Sequence, residues 1–496
     1  MQRLLTRLYS WIASPRFFRC VVILAVISAA WIALTGQYPM AFDEDFHLGL
    51  IRVYASHSLP FFSSQPSNAD AYGAVARDPS FLFHYLMSFP YRLVCLVTQN
   101  QTAQVLVLRA LNIALFASCL PLFRRLLRQA GASPALAHGC LALFVLIPIT
   151  PLLAAQINYD NAALPLTAWL LLLALRVPNE TGQSRQLTFL KILAVGLTGS
   201  LIKFAFLPIF VGVVLWLLVT VRPWHFAPRQ FLVTAMTTLK TRLGASLVVL
   251  IVLLGVLAGN RYGVNLVRYH DPIPDCGKVL TINHCQNYGP YIRDYNFAQA
   301  KPSTHTNPYN FMKEWLYGMW LRSVFSVGGP KTTYETKGPL YAPAYVVIVL
   351  LALGAIALLV RARQTWRSAR YSSSLFAVIS TIYIAALWLQ EYKAYRHTGY
   401  PVAINGRYLL LVIIPIAFVA ARALSLLLRQ RRDLKTALLG VSLLALLWGG
   451  GELTFILRSN PSWYWNNPAV RVSNRAVQKI VGPVTPGNYN PTAFLR

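Results

Sequence analysis

Apolar residues fall in eleven long runs, at roughly 18–36, 103–123, 135–155, 161–176, 187–202, 205–221, 243–261, 341–360, 372–390, 406–428 and 436–456. Polar or turn-forming residues separate them, and none alternates with the period of two that marks a half-buried strand. A helix crossing a bilayer upright needs about 20 apolar residues, so these runs predict membrane-spanning helices. The runs between 161 and 202 are the shortest. The expected fold is an all-α polytopic membrane protein with about 11 transmembrane helices and no large soluble domain. No small-x-small cleavage pattern precedes Gln37, so the first run reads as a retained helix rather than a cleaved signal.

Composition fits this pattern. Hydrophobic residues make up 56% of the 496 positions and charged residues 12%, about half the share in a soluble domain. The formal charge is nevertheless +30. A disordered basic chain is excluded by the apolar content. A nucleic-acid partner is not expected, because too few polar residues remain to coat a soluble basic surface.

The charge segregates. With the N-terminus on the cytoplasmic side, the N-terminal segment and the cytoplasmic loops collect 22 of the 45 Lys and Arg residues. These include Arg3, Arg7, Arg124, Arg125, Arg128, Arg361, Arg363, Arg429, Arg431 and Arg432. Only Glu180 and Asp433 accompany them, while twelve of the 15 acids fall on the other side. Positive loops stay inside, so this bias sets the orientation. Counting 80–98 as a further span would invert every later loop. That stretch therefore reads as a helix lying at the outer interface, with His84, Tyr91 and Arg92 toward polar groups. Eleven crossings place the C-terminus outside.

Four regions follow: a membrane module 1–261 that includes the outer loop 37–102, an outer loop 262–340, membrane helices 341–456, and an outer tail 457–496. The tail is rich in Asn, Pro and Trp, has no helical period, and predicts irregular structure. Cys276 and Cys285 lie nine residues apart in an outer loop, where an oxidising compartment lets them pair. The alternative is two free thiols.

The densest ionisable cluster follows the first run: Asp43-Glu44-Asp45-Phe46-His47. As the start of a helix it sets Asp43 and His47 on one face, at i and i+4. Acids favour a first helical turn through the macrodipole, but capping needs one acid, not three and a histidine. Asp160 stands alone in Asn158-Tyr159-Asp160-Asn161, both a natural N-cap and a second site acid. Outer cations run against the positive-inside bias. Lys203 and Arg407 are the most specific, each at a tight turn between apolar runs; Arg261, Arg268, Lys393, Arg396 and His397 are others. Snorkelling to lipid phosphate is the plain alternative for each.

Several of these segments resemble the GT-C membrane glycosyltransferases, which include protein O-mannosyltransferases and lipid A aminoarabinose transferases. FDEDFHLGLI is similar to the Asp-Glu motif of that group's first outer loop, and DPSFLFHYLMSFPYRL to its interfacial helix. INYDNAALPLTAWLLL resembles the second acidic loop, SLIKFAFLPI the lysine hairpin, and NGRYLLLVIIP a Gly-Arg-Tyr helix start. The resemblance implies a GT-C-like module in the inner membrane of a bacterium and transfer of a sugar from a polyprenyl-phosphate donor to an acceptor glycan, lipid or protein. It implies Asp43 as base or metal ligand, Glu44 as its support or as a contact to the acceptor, and Asp160 as second acid. Asp45, His47, His84, Lys203 and Arg407 would contact substrate. A divalent cation on Asp43 is compatible with it. The additional acid, Asp45, leaves the identity of the base open.

Two other classes compete. A transporter or flippase of lipid-linked sugars needs ionisable residues mid-membrane at broken helices. A non-catalytic envelope-assembly subunit would tolerate Asp43→Asn.

Overall fold

The computed structural model describes residues 2–40, 43–62, 64–221, 228–300, 307–324, 341–429, 431–449 and 464–481. The far end of the expected span 436–456, Glu452, Phe42, Arg222 and both ends of the tail lie outside them. Among the described residues the chain is helical, with one isolated bridge between Gly36 and Tyr464.

Helix α1 (Gln2–Ala13) leads into α2 (Pro15–Thr35). Ser14 caps α2 by accepting from the Phe17 N–H at 3.2 Å, with Pro15 at the first helical position. Helix α3 (Glu44–Ala55) and α4 (Leu82–Val97) pack together beside α5 (Gln101–Gln129). At 16 residues, α4 is short for an upright crossing. It buries Phe83, His84 and Met87 and exposes Leu86, Phe89, Leu93 and Leu96.

The expected third run breaks. It forms α6 (Pro134–Leu146) and the short α7 (Ile149–Ala154), because Pro148 cannot continue the helix. The chain then runs through buried, irregular backbone into α8 (Asp160–Ala174). Such backbone at depth must find partners within the protein. Asn112 supplies them, its Oδ1 accepting from the Asn158 N–H at 3.1 Å and the Asn161 Nδ2 at 3.2 Å.

Helices α9 (Gly182–Ile202) and α10 (Leu207–Val221) form the lysine hairpin. After α11 (Pro228–Leu239), α12 (Arg242–Ala258) continues through a π turn at Gly259–Gly263 into α13 (Val264–Tyr269), well past the expected end at 261. Three short helices follow, α14 (Cys276–Val279), α15 (Ile282–Cys285) and α16 (Gly289–Gln299), and a disulfide joins Cys276 to Cys285. Then come α17 (Pro308–Val324), α18 (Tyr341–Ser368), α19 (Arg370–Thr398), α20 (Leu410–Leu427) and α21 (Arg432–Gly449).

The tail differs from expectation. It contains a helix, α22 (Pro468–Val481). Only Val470, Asn474 and Val477 turn inward, at helical spacing. The segment is polar on average, so hydropathy passes over it, but Ala469, Val470, Ala476, Val477 and Ile480 repeat at helical spacing on one face.

Among the described residues, nine helices are long and apolar enough to cross a membrane. The protein is a multi-pass membrane protein whose surface contacts lipid. Helix α8 is the most enclosed, with 72% of its apolar window buried, and it packs on α5, α9 and α10.

The two ends of the bundle differ chemically. At one end α1, α5, α6 and α18 to α21 meet through basic residues. Arg124 donates to His138 at 2.9 Å, and Arg422 reaches the carbonyls of Gly131 at 3.0 Å and Ser368 at 2.9 Å. The other end gathers Asp43, Glu44, Asp160, Lys203 and Arg407, joined by ion pairs.

Candidate functional site

Three neighbouring acids open α3, and they diverge. Successive helical residues point about 100° apart, so they cannot converge on one point. Glu44 turns inward and is fully buried against Arg109, which is also fully buried. Its carboxylate accepts from Arg109 Nε at 2.8 Å and Nη2 at 2.7 Å, and from the N–H groups of Met40 at 2.8 Å and Ile157 at 3.2 Å. The remaining Arg109 nitrogen holds the carbonyls of Ala33 at 2.8 Å and Gly36 at 2.6 Å. This geometry reassigns Glu44: it locks the ends of α2, α3 and α5 to the loop before α8 and is closed to an acceptor. Asp45 is exposed on the far side of the turn.

Asp43 takes the third direction. Its φ is +68°, uncommon for a residue with a side chain and a frequent feature of functional turns. Its carboxylate meets Arg407 Nη2 at 2.8 Å. The Asp43 side chain is 63% exposed, whereas that of Arg407 is 6% exposed. Arg407 lies in the turn Gly406–Leu409 that precedes α20, where the Asn405 Oδ1 accepts its N–H at 3.0 Å.

Asp160 is the first residue of α8 rather than its cap. The Asn158 Oδ1 accepts the Asp160 N–H at 3.0 Å and takes the capping role. Asp160 pairs with Lys203 through Oδ1, both groups being buried. Its other oxygen, Oδ2, is buried with no hydrogen-bond partner. Lys203 ends α9 in extended backbone, its N–H on the Gly199 carbonyl at 2.9 Å.

Aromatic rings connect the two ion pairs. The Lys203 ammonium lies 5.0 Å from the Tyr159 ring centre and 5.4 Å from that of Tyr408. The Arg407 guanidinium is 5.2 Å from the Tyr408 ring. Cations over aromatic faces gain further stabilisation where water is excluded. Asp43, Asp160, Lys203 and Arg407, far apart in sequence, thus form one formally neutral site.

His47 and His84 stand beside it. The His84 Nδ1 contacts the Ser80 carbonyl at 3.1 Å, and its Nε2 contacts the His47 Nδ1 at 2.9 Å. A carbonyl only accepts, so the His84 Nδ1 carries the proton and its Nε2 accepts from His47. His47 then keeps an unprotonated Nε2, and its ring packs edge-on against Tyr159 at 4.6 Å. Burial pushes the His47 imidazole well below its ordinary range, with His84, Arg407 and Lys203 adding to the effect. Burial likewise lowers His84 to about 3. Both rings are neutral at pH 7. His84 is fully buried between the Ser80 carbonyl and His47, an arrangement that holds the His47 ring in one orientation.

Two of the other candidate cations, Arg261 and Lys393, are engaged elsewhere. Arg261 is buried and ties the loop before α4, donating to the carbonyls of Val75 at 3.0 Å and Phe61 at 2.6 Å. Lys393 joins Lys278 on Asp271, at 3.3 and 2.9 Å.

A calcium ion takes six to eight oxygen ligands, whereas a magnesium ion can be held by one or two carboxylates together with substrate phosphates. Asp43, Glu44 and Asp45 diverge, and among the described residues no group of three His, Cys, Asp or Glu is placed to hold a metal. The described residues therefore offer no all-protein cage for such an ion.

Sequence reasoning passes over Arg109, Asn112, Asn158, Tyr159 and Tyr408. Arg109 carries a legible signal, since a lone charge inside the apolar run 103–123 requires a partner. The aromatic and amide residues carry none.

The chain matches no protein-family model and no curated protein.

Proposed function

We propose that the protein is a membrane glycosyltransferase. It moves a hexose or pentose from a polyprenyl-phosphate donor to an acceptor hydroxyl on the extracytoplasmic face, with inversion at the anomeric carbon. One observation carries the reading: Asp43, Asp160, Lys203 and Arg407 meet in one site at the end of the bundle opposite the basic loops. Positive loops face the cytoplasm, so that site faces outward.

Exposure supports the following division of roles. Asp43 is the open acid and Asp160 the enclosed one. In the resting site Asp43 is paired with Arg407. A donor phosphate that reaches Arg407 and Lys203 competes with both carboxylates for their cations. Asp43 is then released toward the acceptor and takes its hydroxyl proton. The acceptor oxygen attacks the anomeric carbon from the face opposite the phosphate. The carbon–phosphate-oxygen bond breaks, and the electron pair leaves with polyprenyl phosphate. Its anionic charge is stabilised by Arg407 and Lys203 in a site of low water content. Asp160 holds Lys203 in position, and the proton passes from Asp43 to solvent. The lipid tail lies along the apolar helices.

The test is product formation from a radiolabelled polyprenyl-phosphate sugar in proteoliposomes, with and without EDTA. Wild type is expected to form product. Asp43→Asn is expected to abolish turnover while leaving the protein folded, and Asp160→Asn to weaken donor binding. Donor crossing the bilayer without transfer would instead make the protein a transporter. Undiminished turnover by Asp43→Asn would remove the assigned base.

A further inference from the structure

A cavity of about 260 Å³ opens at the basic end, between α1, α6, α18, α20 and α21. It lies far from the site described above. From Arg407 to Leu428 the chain runs 21 residues, mostly α20, or about 30 Å at the helical rise.

The cavity is amphipathic. Its walls include Leu143, Leu350, Leu424 and Leu439, and its charged lining is Arg429, Arg432 and Lys435 with no acid. Lys435 is anchored by donating to the Ser425 Oγ at 3.1 Å, and the Arg432 guanidinium sits 5.0 Å from the Tyr9 ring centre. Arg429 and Arg432 are exposed at the mouth. Water does not settle into leucine-lined space, which offers too few polar partners. A soluble anion would leave that apolar part unfilled. An amphiphile with an anionic head satisfies both halves, and basic pockets between transmembrane helices suit acidic lipid head groups.

We propose that this cavity binds one anionic glycerophospholipid. An acyl chain lies between α6, α20 and α21, and the phosphate rests on Arg429, Arg432 and Lys435. The bound lipid fastens α21 to α6 and α1, and this role is independent of any chemistry at the other end.

Full-length protein in mild detergent is stripped of lipid and offered phosphatidylglycerol, phosphatidylcholine or inorganic phosphate. Retained lipid and thermal unfolding are measured. Wild type is expected to retain phosphatidylglycerol and melt higher with it, and to respond weakly to the other two. The variant Arg429→Gln/Arg432→Gln/Lys435→Gln is expected to lose the head-group preference by on the order of 100-fold, three cations acting together. Arg429→Gln alone, at an exposed position, is expected to lose about fivefold. Leu143→Trp keeps the cations but fills the apolar part, and is expected to reduce retention of both lipids. Equal retention of the two lipids by wild type overturns the proposal. So does a triple variant that keeps the preference, a Leu143→Trp protein that binds normally, or inorganic phosphate stabilising as well as phosphatidylglycerol.

Discussion

Removing Arg109 tests whether Glu44 is structural. Glu44 and Arg109 are fully buried, and the carboxylate accepts four hydrogen bonds, two from Arg109 and two from the N–H groups of Met40 and Ile157. Arg109→Met leaves a buried carboxylate with two N–H donors and no countercharge. Breaking a buried pair from one side costs about 3–5 kcal/mol, a large part of the roughly 5–15 kcal/mol that holds a folded chain together. Glu44→Gln is expected to cost a similar amount. It leaves the Arg109 guanidinium on the carbonyls of Ala33 and Gly36 and turns an amide donor toward its N–H groups. The double variant removes both charges, so its loss should fall well short of the sum, with a coupling of about 1–3 kcal/mol. Equilibrium unfolding in one detergent, for wild type, both single variants and the double variant, measures this cycle. Single losses below about 1 kcal/mol, or strict additivity, would refute the assignment. Turnover per folded molecule gives a second reading: the double variant should keep it, whereas a catalytic Glu44 would not allow that.

Two further outcomes are expected. His84 has a folded value of about 3 against an ordinary 6.5, so below pH 6.5 the unfolded chain binds a proton that the folded chain refuses. Stability should therefore decline as pH falls from 6.5 toward 5, by about 1.4 kcal/mol per pH unit for one histidine. His47 shifts in the same direction. Unfolding measured across this range should show the slope, and His84→Gln should remove one histidine's share of it; a wild type equally stable at pH 5 and pH 7 would contradict the buried neutral pair. At Gly406 a methyl group would run into the Ser323 Oγ and the Met319 carbonyl and come within 2.7 Å of the Ser323 N. Backbone cannot yield as a side chain does, so Gly406→Ala should move the Arg407 turn and cost about 1–3 kcal/mol. Thermal unfolding reads this directly, and an unchanged midpoint would show that the turn has slack.

Much of the molecule is legible along the chain because one force acts locally. Burial in lipid rewards each apolar stretch on its own account, so hydropathy alone marks runs such as 18–36 and 372–390. Charge segregation works similarly, residue by residue. The site residues Asp43, Asp160, Lys203 and Arg407 are visible for the same reason: each is a scarce charge at the edge of an apolar run, where it needs an explanation. Partnership is a different matter. Asp43, Glu44 and Asp45 are chemically alike in sequence, and only packing sends one to Arg407, one to Arg109 and one to solvent. The irregular backbone before α8 is tolerated at depth because distant groups bond it, Asn112 accepting from the Asn158 N–H and Glu44 from the Ile157 N–H. The tail helix escapes a hydropathy scan because the segment is polar on average, although its apolar residues repeat at helical spacing. The sequence by itself determined that this chain crosses a membrane many times and which few charges demand a reason. The tertiary structure decided which acid is open and which is closed, because ion pairing and desolvation depend on groups brought together from distant segments.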